Sequence, residues 1–165
     1  MEIVEPPRVE ERPELPYVGI RLVTPFRGML AVRDQLLEEA RVGVKEAGIE
    51  TVGYGFLRLN VIDMGGPMDL EAGLFTPQPV RTGHGRLRPG LMAAGRYATM
   101  KYRDHARRAN AALQDWAHDE GLALDRRVVL EGDALGCSYE AFCTDPAVEP
   151  RKTRWTIELS ILLNA

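Results

Sequence analysis

Two stretches of this chain are built alike, and the likeness limits the folds open to it. Arg12–Val23 reads RPELPYVGIRLV and Arg88–Tyr102 reads RPGLMAAGRYATMKY. Each opens Arg-Pro-x-Leu and then gives a strand led by a tyrosine, Tyr17 or Tyr97, which stand 80 residues apart. The segments after the two copies also match. After the first, Arg27–Ala47 carries Met29, Leu36, Leu37, Ala40 and Val44 on one helical face, and Gly48 ends the pattern. After the second, Asp104–Glu120 carries Ala106, Ala109, Leu113, Trp116 and Ala117, with Asp104 as the expected N-cap and Gly121 as the stop. Each helix leads to two further strand candidates. These are Thr51–Ile62 and Met68–Thr76 in the first half, and Ser138–Thr144 and Thr153–Leu163 in the second. Gly65-Gly66-Pro67 joins the first pair, and a turn holding Pro146 and Pro150 joins the second.

The order is β-α-β-β twice within one domain spanning residues 1–165: repeat one at about 8–76, a linker at 77–86, and repeat two at about 87–164. Antiparallel returns with one helix per half predict an α+β fold. Its curved, mainly antiparallel sheet carries both helices on one face. The opposite face stays open along the seam between the repeats, and a ligand groove is expected there. Pro13 and Pro16 cannot donate to a ladder, so the first strand of each half is expected to be bulged or to lie at an edge. Pro89, Gly90 and Gly95 take that part in the second half.

The 165 residues are 45% hydrophobic and 27% charged, enough to pack a core without metals or disulfides. A net charge of -3 argues against a nucleic-acid surface, which needs a basic excess. No apolar run nears the ~20 residues that span a bilayer, so no membrane partner is expected. The acidic, proline-rich start is unlike a signal peptide. Cys137 and Cys143 lie six apart on one strand candidate, about 20 Å if extended, too far for a disulfide. A reduced, cytoplasmic protein is the simplest account. His84, His105 and His118 show no ligand spacing with the cysteines, so neither metal nor cofactor is expected.

The residues that invite chemistry lie on SYEAFCTDP, Ser138–Pro146. Alternation puts Ser138, Glu140, Phe142 and Thr144 on one face and Tyr139, Ala141 and Cys143 on the other. The second set is small and apolar, as helix packing would want, so Glu140 is expected on the open side beside the seam. Tyr54, Phe56 and Arg58 share a face of an earlier strand, flanked by glycines that permit close approach. Each residue has a structural alternative. Glu140 suits a solvent face, Tyr54 and Phe56 suit cross-strand packing, and Trp116 lies on its helix's packing stripe. Trp155 heads a core set with Ile157, Leu159 and Ile161.

Taken together, the pieces resemble the GyrI-like small-molecule-binding domain, also called the AraC-type effector-binding domain. The resemblance rests on the Pro-rich lead into YVGIR, on DLEAG at Asp69–Gly73, on DW…EG at Asp115–Gly121, on YEAFCTDP, and on the final TIELSILL. It covers about residues 5 to 164 and is that of a stand-alone member, with no helix-turn-helix segment in the chain. It implies a duplicated βαββ fold whose groove takes up hydrophobic, often cationic, aromatic compounds. The family's Glu-x-Tyr with a later Asp-Pro is met here by Glu140 and Asp145-Pro146, with Phe142 in place of the tyrosine. That replacement keeps the ring and removes a phenol.

Physical chemistry suits such a ligand. An aromatic face attracts a flat cation by about 0.5–2 kcal/mol per ring, and a desolvated carboxylate adds charge complementarity. Burial raises a Glu pKa, so the empty site lowers its own cost by holding a proton. The expected function is binding of hydrophobic, cationic or polyaromatic small molecules, for multidrug-type sensing or sequestration. Its residues are Glu140, Phe142, Tyr54, Phe56, Trp116 and Trp155. The alternative is a hydrolase of ring-strained, cyclopropanoid small molecules in the same groove, with Glu140 as the catalytic carboxyl.

Overall fold

The computed structural model describes all 165 residues, Met1 to Ala165. In chain order the first repeat holds β1 (Glu2–Arg12), β2 (Leu15–Pro25), α1 (Met29–Ala47), β3 (Val52–Ile62) and β4 (Pro67–Phe75). The second holds β5 (Arg88–Met92), β6 (Gly95–Arg103), α2 (Ala106–Asp119), a hairpin of β7 (Arg126–Val129) and β8 (Gly132–Leu135), then β9 (Ser138–Phe142) and β10 (Ile157–Leu162). The fold is α+β. One curved, unclosed antiparallel sheet runs β1-β6-β10-β9-β3-β4-β2-β5, and the hairpin joins it at the end of β3. No helix is long and apolar enough to cross a membrane.

Each repeat therefore opens with two strands where one bulged strand is expected. A two-residue bend at Pro13-Glu14, and another at Ala93-Ala94, breaks the chain. The broken-off pieces are exchanged: β1 pairs with β6 of the second repeat, and β5 with β2 of the first. The tyrosines are equivalent, each the third residue of its strand, but the Arg-Pro-x-Leu echo is not. Arg12–Leu15 spans the first bend, whereas Arg88–Leu91 lies inside β5. Pro6 and Pro7 fit β1 because they occupy a bulge between the Glu5–Lys101 and Arg8–Thr99 pairs, at the sheet edge.

Both helices pack on one face, as the apolar stripes require. Leu36, Leu37, Ala40 and Val44 of α1, with Ala109 and Leu113 of α2, share a core with Leu57, Leu70, Tyr102 and Leu159 of the sheet. The other face is covered too. Tyr17, Phe56, Met92, Tyr97, Cys137 and Tyr139 form a second, smaller core. Arg12 runs beneath it, its guanidinium donating to the Tyr139 hydroxyl (2.8 Å), Ser160 Oγ (2.7 Å), Thr99 Oγ1 (3.2 Å) and Glu158 Oε1 (3.0 Å). One side chain of β1 thus ties three strands of the other repeat.

Candidate functional site

The two repeats meet where β3 and β9 pair, Phe56 with Ala141, Leu57 with Glu140 and Arg58 with Tyr139. A cavity of about 760 Å³ lies over this seam, between the helices. Leu57 and Leu59 of β3, Ser138 and Glu140 of β9, and Ile157 and Ile161 of β10 form its floor. The groove is thus on the helix face of the sheet, not on the opposite face. Alternation correctly joins Glu140 with Phe142, but it fixes parity without saying which face is which. The apolar set Tyr139 and Ala141 serves the second core instead.

Glu140 is only 5% exposed. Its cross-strand neighbours are Leu57 and Leu159, and this apolar setting raises its pKa. Three groups oppose the rise: the Tyr102 hydroxyl, the charge of Arg33, and the Asn110 amide. Tyr102 donates to Glu140 Oε1 at 3.2 Å and Asn110 Nδ2 donates to the same oxygen at 3.4 Å. No protein group donates to Oε2, and no Arg or Lys forms an ion pair with the carboxylate.

The walls carry mixed charge. Arg33, Arg107, Arg126 and Lys152 face Asp34, Asp104, Asp133 and Glu140 around a lining whose apolar part is mainly aliphatic, with Met29, Met64 and Met68, and whose rings are Phe26, Tyr102 and His105. Arg107 of α2 lies with its guanidinium carbon 5.6 Å from the Phe26 ring centroid, linking the starts of the two helices. Asp104 is not an N-cap. Asp104 and His105 both adopt φ 61°, a left-handed conformation uncommon outside glycine, and Asp104 Oδ1 accepts the His105 N–H at 3.0 Å. Arg126, Asp133 and Leu135 bring the β7–β8 hairpin to the cavity, with Leu130 wholly exposed at its tip.

The residues expected at the groove divide. Glu140 lines the cavity. Phe142 shares its face but packs beneath Arg33 and against Trp155, ring centroids 5.9 Å apart. Trp155 donates its indole N–H to the Glu149 carbonyl at 2.5 Å. Phe56 lies on the far face, 4.9 Å from both Tyr17 and Phe75. Tyr54 sits in a shallow hollow beside Arg41 and Pro146, because a bulge between Val52 and Phe56 turns it away. Trp116 packs half-buried against the main core. Arg33, Tyr102 and Asn110 enter the site unforeseen. Arg33 and Asn110 carried a signal: each is the fifth residue of its helix and interrupts an apolar stripe. Tyr102 carried none beyond its place on a strand.

No family model matches the chain, and no curated protein matches it. Solved structures do. The EcmrR C-terminal domain superposes with a TM-score of 0.72 at 15% identity, over 98% of this chain and 99% of that one. The chain shares that fold. In a cryo-EM structure of an EcmrR–DNA complex the chain spans 58% of the EcmrR chain, again at a TM-score of 0.72 and 15% identity. SAV2435 bound to tetraphenylphosphonium aligns with a TM-score of 0.62 at 10% identity, over 97% of this chain and 94% of that one. A hydrolase from Listeria innocua aligns at 0.59 and 13% identity, over 96% and 91%. Identities this low carry the fold alone.

Proposed function

We propose that this chain binds a lipophilic, positively charged or polyaromatic small molecule in the cavity between α1 and α2, with Glu140 as its counter-charge. The observation that carries this reading is the state of Glu140. It is a nearly buried carboxyl at the floor of an apolar cavity, with one oxygen accepting two hydrogen bonds and the other none. A cation entering the cavity offers the missing partner and favours the ionised form. The aliphatic, Met-rich lining supplies area without directional demands, which suits tolerance of several ligands. The tetraphenylphosphonium complex of SAV2435 and the resemblance to GyrI-like domains point the same way.

The test is titration of tetraphenylphosphonium into the wild-type chain and Glu140→Gln. Gln keeps an acceptor for Tyr102 and Asn110 while removing the charge. A loss of about tenfold in affinity, or 1.4 kcal/mol, is expected. Equal affinity for the two proteins would refute the charge role.

A second reading, hydrolysis of ring-strained electrophiles, draws on the same raised pKa. A carboxyl that holds its proton can act as a general acid. Turnover of a cyclopropane electrophile that Glu140→Ala abolishes would favour it over binding alone.

A further inference from the structure

Glu140 has a charged neighbour that it does not pair with. Arg33 is 7% exposed, deep on the inner face of α1, and lines the same cavity. Its guanidinium carbon lies 5.6 Å from the centroid of Phe142, two residues along β9 from Glu140 and on the same face. Two residues of strand span about 7 Å. The two charges are held apart by separate partners. Arg33 Nε and Nη2 both donate to Asp34 Oδ1, at 3.1 and 2.9 Å, while Tyr102 and Asn110 hold Glu140. Lys152 bonds the other oxygen of Asp34. One carboxylate therefore serves two cations, and that wall stays positive opposite a floor that can turn negative.

We propose that the cavity selects amphoteric ligands: a lipophilic ring system bearing a positive group for Glu140 and, displaced from it along β9, an anionic group for Arg33. The proposal rests on the binding reading above and narrows it. A bare cation that reaches Glu140 shares the cavity with Arg33 and Lys152, and like charges brought together there oppose binding. A bare anion meets the same objection at Glu140. A zwitterion meets neither, and a planar carboxylate matches the guanidinium fork that Arg33 has only partly committed to Asp34.

The probes are rhodamine B, a zwitterion at neutral pH, and rhodamine B ethyl ester, the same ring system with its carboxylate capped. Fluorescence anisotropy at pH 7.5 on the full chain reads both affinities. Wild type is expected to prefer rhodamine B by about tenfold, the ratio that 1.4 kcal/mol sets. Arg33→Met, which keeps the packing on Phe142, should abolish or reverse the preference. Asp34→Asn, at a partly exposed position, should raise it at least about twofold, because Arg33 and Lys152 lose their shared charged partner. Equal affinity for the two dyes, an unchanged ratio in Arg33→Met, or an unchanged or lower ratio in Asp34→Asn overturns the proposal. Tetraphenylphosphonium separates the two levels. If it binds in a Glu140-dependent way while the dyes are not discriminated, only this inference fails. If neither it nor either dye binds, the binding reading fails and this one with it.

Discussion

The Tyr102 hydroxyl reaches Glu140 Oε1, 3.2 Å away, over a strand that lies between them. Tyr102 belongs to β6 and Glu140 to β9, and β10 separates the two. Burial and the nearby carboxylate push the Tyr102 hydroxyl well above the usual tyrosine range, so it remains a donor at any physiological pH. The bond ties the charge state of the cavity floor to the packing of the second repeat.

Glu140→Gln should stabilise the empty protein in a pH-dependent way. Burial raises the folded-state pKa of Glu140, so between the unfolded and folded values the native state binds more protons. Stability then falls as pH rises through that window, and Gln is spared the fall. Thermal melts from pH 4 to 8 should show near-equal Tm values at the acid end. The gap should widen steadily toward the alkaline end, read at about 2–4 °C per kcal/mol for a chain of this size. A gap constant across the range would contradict this account.

Tyr102→Phe removes one of the two donors that favour the ionised carboxylate, so the Glu140 pKa should climb further. Tetraphenylphosphonium affinity at pH 6.5 should drop by about 3–10-fold, in keeping with the net contribution of about 0.5–1.5 kcal/mol from one hydrogen bond. It should recover as pH is raised. Packing damage would not recover with pH, so the titration separates the two causes.

How much of the molecule is legible in its sequence depends on which physical signal is asked for. The helices are readable, because apolar spacing and terminal glycines act locally. The partnership of Glu140 and Phe142 is readable from alternation. The side they face is not, since Tyr17, Phe56, Met92 and Tyr97 pack on the outer face in a second core that buries Tyr139 as fully as Glu140. Pro-rich Glu2–Arg12 hides a strand, because its prolines sit in an edge bulge where no N–H is needed. The β7–β8 hairpin is hidden as well. Val128 and Leu130 are exposed, so no buried face imposes alternation on it.

Arg12→Met should cost about 2–4 kcal/mol, since it strands the Tyr139, Ser160 and Glu158 groups that the guanidinium satisfies. Arg12→Lys should rescue little of this, because an ammonium cannot reproduce a planar fork with partners on three other strands. Urea denaturation measures both. A loss under about 1 kcal/mol for Met would mean that β1 is held mainly by its ladder.

Gly73→Ala should be among the most damaging small substitutions. A Cβ at Gly73 would overlap the Val18 carbonyl oxygen on β2, and backbone there cannot yield. We expect a loss above about 3 kcal/mol, or no soluble protein. Gly48→Ala meets open space and has only its φ of 67° to oppose it, a cost of about 1–2 kcal/mol. Comparing the two by circular dichroism and melting tests the steric origin directly.

The exchange of β1 and β5 has a consequence for how the chain is born. On a ribosome β1 emerges well before its partner β6, which starts only at Gly95. At about 5–20 residues per second, the opening strand waits on the order of ten seconds for something to pair with. Its four Glu and two Arg residues, and the Pro6-Pro7 bulge, suit that wait, because charge and proline keep a lone strand from joining the wrong neighbour. Neither half can be finished before the other is made. Losing Glu2–Arg12 would injure β6, β9 and β10, strands made long after it.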